Sequence, residues 1–247
     1  VVAPMVIEGK TLHRSGHFRV SVSRSEGGRA PDLDNAHLMR QLGRLVARIH
    51  LAGETRSFIY RPGIDIESFG REPAAYLLDD GFIPDELVDV YEGVVDHLFE
   101  AIEQCFEQAG RVRNIRLHGD FHPGNVLVSG ERLHIVDLDD ARMGPAVQDL
   151  WMFLSGDRHE QTPQLEILLE GYTEFRRFNA AELHLVEALR TLRIIHYAAW
   201  LARRWNDPAF QTAFPWFESR RYWDEHVLAL REQAALMQEP PLAWLGR

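Results

Sequence analysis

An α+β fold, predominantly helical, is predicted by three features of this sequence. Apolar residues recur at helical spacing over two long stretches: Leu38, Leu42, Leu45, Val46 and Ile49, then Leu87, Val88, Tyr91, Val94, Val95, Leu98, Ile102 and Phe106. Val126-Leu127-Val128 and Leu133-His134-Ile135-Val136 are short runs of β-branched and aliphatic residues, joined by Ser129-Gly130-Glu131 as a hairpin. After Gly144 the pattern is mostly helical.

Taken in order, Met5–Ile7, Thr11–His13 and Phe18–Val22 read as the last strands of a small sheet. Lys10, the only lysine of the chain, falls in Glu8-Gly9-Lys10 and is expected at a hairpin tip. Ser23 to Arg29 then forms a hinge, where Glu26, Gly27 and Gly28 free the backbone for the close approach of an adenine ring. An ordinary polar loop is the alternative. Asp34 or Asn35 caps the first helix, and the second runs from about Asp85 to Ala109. Val112, Ile115 and Leu117 lead into a loop that Pro123-Gly124 turns. This divides the chain into a strand region, 1–29, and a helical body, 30–247.

Composition narrows the class. With 247 residues, 45% of them hydrophobic, the chain can bury a proper core. No run of about 18 apolar residues exists and no signal peptide is visible, so a membrane partner is not expected. Cys105, the one cysteine, can form no internal disulfide, and a cytoplasmic location is the default. A net charge of −10 argues against a broad nucleic-acid surface.

The chemistry is concentrated in His118-Gly-Asp120-Phe-His-Pro-Gly-Asn125, followed by Ile135-Val-Asp137-Leu-Asp139-Asp140. Phosphoryl transfer from a nucleotide needs one carboxylate at the acceptor hydroxyl, and a carboxylate and an amide oxygen to hold Mg²⁺ against the phosphates. Asp120 fits the first role, Asn125 and Asp137 the other two. The hairpin between them brings Asn125, at the start of one strand, and Asp137, at the end of the other, towards one cation, and oxygen ligands suit Mg²⁺. Asp139 is a possible second acid or a solvated carboxylate, and Asp140 is expected at the surface. His118, Asp120 and His122 also form His-x-Asp-x-His, a hydrolase-like divalent-metal pattern. That alternative leaves Asn125 and Asp137 without a role. In the phosphoryl-transfer reading His118 supports the loop. Asp149, in Gln148-Asp149-Leu-Trp, caps a helix or reaches back to the loop amides.

HGDFHPGN together with IVDLDDA resembles the Brenner-type motif of the aminoglycoside phosphotransferase and choline kinase superfamily, which shares the protein-kinase fold. Gly144–Met152, His196–Trp205, and Asn206–Phe210 with Phe214-Pro-Trp216 are similar to the bacterial stress response kinases, serine/threonine protein kinases of that superfamily. The resemblance implies a kinase-like C-terminal lobe with a remnant of the N-lobe sheet. It also implies ATP as donor, Mg²⁺, and a protein serine or threonine as acceptor, with autophosphorylation among the possibilities. A complete kinase of this type carries a glycine-rich strand-turn-strand, a strand lysine and a helix glutamate. None is found in the sequence, which begins with Val rather than Met, so a fragment with its N-terminal lobe largely missing and weak turnover is expected. A small-molecule kinase of the superfamily and a non-catalytic kinase-like binding module are the competing expectations. In the superfamily the C-terminal helical region lies near the acceptor, which makes Arg203 and Arg204, beside several tryptophans, candidate acceptor-site cations. A core stripe with charged flanks is the alternative.

Overall fold

The computed structural model describes residues 1–246. Two short strands come first, β1 (His13–Ser15) and β2 (Phe18–Val20), followed by the helix α1 (Ala36–Gly53). A π-helical turn (Glu67–Arg71) runs into α2 (Glu72–Asp79), and a 3₁₀ turn (Asp85–Leu87) into α3 (Val88–Ala109). Four strands follow, β3 (Ile115–Leu117), β4 (Val126–Ser129), β5 (Arg132–Ile135) and β6 (Arg142–Gly144). The rest is helical: α4 (Gln148–Trp151), α5 (Arg158–Thr173), α6 (Val186–Ala202), α7 (Pro208–Ala213) and α8 (Arg220–Leu236). The predominantly helical α+β architecture therefore matches the pattern of the sequence.

Both long amphipathic stretches are helices. Asn35 caps α1 by accepting from the His37 and Leu38 amides at 3.1 and 3.2 Å, a contribution of about 1 kcal/mol. α1 packs on α5 at backbone distance, because Gly43 faces the Leu168 carbonyl and Gly171 faces the Arg40 carbonyl, where any Cβ would collide. That approach brings His50 of α1 against Tyr172 of α5. α6 is surrounded by α2, α3, α4 and α8, and its Leu189, Leu192 and Ile195 lie in the core with Leu98 and Ile102 of α3.

At the N-terminus the strands are shorter than expected. Of Met5–Ile7 only Ile7 is paired, with Lys10, beside an isolated pairing of Pro4 with Ser23; Thr11 and Leu12 join no ladder, and β1 and β2 make a three-residue antiparallel ribbon. The alternation is there, but this segment is almost wholly exposed, and a lone two-stranded ribbon has too little burial to extend itself. Ile7 and Lys10 exchange both backbone hydrogen bonds, at 2.9 and 3.0 Å, which puts Glu8 and Gly9 at a turn tip.

Two antiparallel ribbons position the motif. β3 pairs with β6 in the register Ile115 with Gly144, and β4 with β5 in the register Val126 with Ile135. The chain thus crosses from one ribbon to the other twice, at 118–125 and back at 136–141, and the two crossings lie side by side. Of the tryptophans, Trp205 and Trp223 are buried with Phe217, so the core reading holds for them, whereas Trp216 is half exposed. Among the described residues no helix is long and apolar enough to cross a membrane.

Candidate functional site

The two crossings are cross-linked at their ends. Asn125 Nδ2 donates to the Asp120 carbonyl at 2.9 Å, and the Asn125 carbonyl accepts from the Val136 amide at 3.1 Å. A carbonyl can only accept, so the side-chain nitrogen of Asn125 is committed and its Oδ1 is turned the other way. Asp137 sits at φ +60°, a left-handed conformation that costs a non-glycine residue about 1 kcal/mol or more. Its carboxylate and that of Asp120 line one cavity of about 680 Å³.

Behind the loop stands Asp149. Its Oδ2 accepts from the His118 amide at 2.8 Å and its Oδ1 from the Gly119 amide at 2.9 Å, and it is fully buried. Asp149 is delivered by α4, whose start is pinned by Glu182 accepting from the Val147 amide at 2.9 Å. Burial pushes the Glu182 carboxyl up, against the lowering effect of that bond. Gln148, beside Asp149, donates to the Gly119 carbonyl at 3.1 Å. The loop is therefore held by side chains from α4 on both its donors and its acceptors.

The far wall of the cavity is one face of α6. Arg193, His196, Tyr197 and Trp200 follow the i, i+3, i+4, i+7 spacing and all line it. Arg193 reaches Asp120 Oδ1 with Nη2 at 2.6 Å and Nε at 3.1 Å. His196 stacks on Phe69 with centroids 4.0 Å apart, and Arg142 lies over the same Phe69 ring at 4.8 Å. Burial, reinforced by the charges of Arg142 and Arg203, lowers the His196 imidazole to about 4.

Several expected residues fall elsewhere. Asp140, expected at the surface, lines the cavity and pairs with Arg142 at 3.0 Å, while Asp139 does not line it and offers its carbonyl to Arg61 at 2.6 Å. Arg203 and Arg204 stand outside the cavity, over the rings of Tyr76 and Trp200, and the guanidiniums inside are those of Arg142 and Arg193. Glu26, Gly27 and Gly28 run beside the β4–β5 ribbon, away from the cavity. A Cβ on Gly28 would come within 2.9 Å of Leu127 Cβ, and Arg29 pairs with Val128. The His-x-Asp-x-His alternative loses its geometry. His118 is buried flat on Phe121 at 4.7 Å with Nε2 donating to the Val136 carbonyl, and His122 spends Nδ1 on the Gly124 amide. Among the described residues no three His, Cys, Asp or Glu side chains gather as a metal cluster.

The sequence reading missed Phe69 and Arg142, which line the cavity, and His50, which lies behind it against Asp149.

Residues 1–185 match the phosphotransferase enzyme family (APH). Over 242 residues, 98% of this chain and 73% of the relative, the sequence is 43% identical to stress response kinase A of Escherichia coli (strain K12). Over the same span and shares it is 40% identical to serine/threonine protein kinase RdoA of Salmonella typhimurium (strain LT2). The structure superposes on amicoumacin kinase hAmiN, solved with AMP-PNP, Ca²⁺ and Ami, with a TM-score of 0.66 at 17% identity, covering 98% of this chain and 74% of that one. At that identity the likeness shows a common kinase-like fold.

Proposed function

The chain belongs to the phosphotransferase enzyme family, and from that premise we propose that it is a protein kinase transferring the γ-phosphoryl group of ATP to serine or threonine hydroxyls with Mg²⁺. The observation that carries the reading is the pair of crossings that present Asp120 and Asp137 to one cavity, tied together through Asn125. Asp120 takes or orients the proton of the acceptor hydroxyl. Asn125 Oδ1 and the Asp137 carboxylate would hold the metal, a set of oxygen donors that fits Mg²⁺, which completes its shell with waters and phosphate oxygens. When bound, that ion supplies charge neutralisation at the phosphates. Glu26, Gly27 and Gly28, beside β4, are the proposed border of the adenine end.

A protein acceptor is supported by the relatives, kinases at 40–43% identity over nearly the whole chain, one of them a serine/threonine protein kinase. It is also supported by Arg142 and Arg193 in the cavity, since guanidiniums at the acceptor side disfavour a polycation such as an aminoglycoside. A small-molecule acceptor is the second reading. The cavity, about 680 Å³, falls within the usual range for small ligands, and the structural neighbour is named for a kinase of a small molecule. Phosphate transfer from radiolabelled ATP and Mg²⁺ is measured to a generic protein, to the protein itself, to choline and to an aminoglycoside, in parallel with Asp120→Asn. Label on protein that disappears in the variant is the expected result. Efficient label on a small molecule with none on protein would establish the second reading, and no label on any acceptor would overturn both.

A further inference from the structure

A chain of polar side chains, most of them buried, runs from the 118–125 loop to the protein surface through residues that none of the roles above uses. Asp149 Oδ2, which holds the His118 amide, also meets His50 Nε2 at 3.1 Å. His50 Nδ1 lies 2.9 Å from the Tyr172 hydroxyl, and Arg176 Nη1 lies 2.5 Å from that same oxygen. Arg176 in turn bonds Glu54 through Nε and Nη2, both at 2.7 Å. His50, Asp149 and Tyr172 are fully buried, while Glu54 reaches solvent.

A carboxylate only accepts, so His50 donates from Nε2 to Asp149. A guanidinium only donates, so the Tyr172 oxygen accepts from Arg176, and with a neutral imidazole its own proton turns to His50 Nδ1. Nδ1 is then the acceptor nitrogen of the ring. The proton of His50 resides on Nε2 and is donated to Asp149. Burial keeps the Tyr172 hydroxyl protonated by pushing its pKa well above the ordinary 10.

The same helix also holds the strand that enters the loop. Arg116 of β3 donates to the Ala52 carbonyl at 2.9 Å, two residues after His50, and Gly53 meets the Arg116 carbonyl where a Cβ would collide. α1 therefore fixes the loop at its base through Arg116 and from behind through His50.

We propose that His50 and Tyr172 are positioning residues for the 118–125 loop, and that Arg176 and Glu54 at the far end set the His50 tautomer that Asp149 requires. Without the Nε2–H donor, Asp149 is a buried carboxylate short of a partner, and it reorients. That loosens the His118 and Gly119 amides, and with them the backbone that carries Asp120. The kinetic part of the test rests on the kinase reading, and the spectroscopic part does not.

The test combines ring ¹⁵N spectra of His50 with amide hydrogen exchange at His118 and Gly119, in the wild-type chain and in His50→Leu, His50→Gln and Tyr172→Phe. The wild type is expected to show the Nε2-protonated tautomer. In His50→Leu the two amides should exchange about tenfold faster or more, the scale of a lost hydrogen bond to a charged group. Phosphate transfer should fall in kcat by a similar factor while the KM for ATP stays within about twofold, a split that general destabilisation does not produce. His50→Gln, whose Nε2 still donates, should recover most of both. Where His50→Leu fails to fold, Tyr172→Phe, which removes a hydroxyl only, should still speed exchange at these amides. An Nδ1-protonated or doubly protonated ring in the wild type, unchanged exchange in His50→Leu or in Tyr172→Phe, or a Gln variant as loose as the Leu variant would overturn the proposal. Exchange and ring spectra are independent of phosphate transfer, so their outcome is separable from that of the kinase reading.

Discussion

Arg193 engages a single oxygen of Asp120, with Nη2 at 2.6 Å and Nε at 3.1 Å from Oδ1. The side chains are 34% and 30% exposed, so solvent screens the pair and it adds less than about 1 kcal/mol to stability. Its consequence is orientational. In the kinase reading, with Oδ1 held, Oδ2 is the oxygen left for an acceptor hydroxyl, and the His122 imidazole lies 3.6 Å from it.

Asp120→Asn should therefore reduce phosphoryl transfer by at least about 10²-fold, the low end for loss of a general base, while the thermal midpoint moves little. Arg193→Met should lower kcat by a smaller factor, about tenfold, because the carboxylate remains but is no longer aimed. A folded Asp120→Asn protein with near wild-type turnover would remove Asp120 from the chemistry.

Gly119 offers a test of the loop itself. Its φ of +87° is left-handed, and an added Cβ would collide with the Asp140 carbonyl oxygen on the neighbouring crossing. Gly119→Ala combines about 1–2 kcal/mol of backbone strain with a displacement of the segment that carries Asp137. Turnover should be nearly abolished, while the melting temperature falls by only a few degrees per kcal/mol in a chain of this size. Turnover preserved alongside the lower melting temperature would show that the two crossings need not stay in register.

How much of this was legible in the sequence follows from distance along the chain. Asp120, Asn125 and Asp137 are joined by local geometry, a turn and a hairpin whose residue types specify them, and Asp120 and Asp137 line one cavity. Asp149 is legible as an acceptor near a helix start, and of the two expected roles it is the reach back to the loop amides, about 30 residues away, that the structure shows. His50 was not, because a histidine on the apolar face of an amphipathic helix carries no sign of a partner 99 residues away. Arg203 and Arg204 stand out in the sequence because they lie beside tryptophans in the helical region that the superfamily places near the acceptor. In the helix, however, the residues that share a face are three and four apart, and it is Arg193, His196, Tyr197 and Trp200 that turn to the cavity together. The N-terminal strands are shorter than their alternation predicts because the segment is almost wholly exposed and has little burial to extend them.

A pH dependence follows from His226. Packed between Tyr91 and Tyr222, it is lowered by burial from the ordinary 6.5 to about 4. Above pH 6.5 the ring is neutral in folded and unfolded chains alike and its contribution is intact. Between 6.5 and 4 the unfolded chain binds a proton that the folded chain refuses, so stability falls as the solution is acidified. The loss from this one group approaches about 3 kcal/mol at the lower end. Urea midpoints of the wild type should decline between pH 7 and pH 4.5 more steeply than those of His226→Phe, which keeps the stacking. Parallel declines would show that His226 does not carry the acid sensitivity.

Arg142 and the Arg203–Arg204 pair differ in what they can reach. Arg142 is only 17% exposed at its side chain, bonds Asp140 at 3.0 Å and lies over Phe69, so it meets whatever enters the cavity. Arg203 and Arg204 cover Tyr76 and Trp200 from outside. An acceptor that reads charge in the cavity loses a contact with Arg142→Ala, and kcat/KM for the acceptor should fall by about tenfold, equivalent to about 1.4 kcal/mol of transition-state stabilisation. The double variant Arg203→Ala, Arg204→Ala should leave it within about twofold, because a cation on the outer face of an aromatic residue is solvated and screened. Steady-state kinetics with the acceptor varied at saturating ATP measures both. The reverse order, with a large loss in the double variant and none in Arg142→Ala, would move the acceptor out of the cavity and onto the outer face of α6.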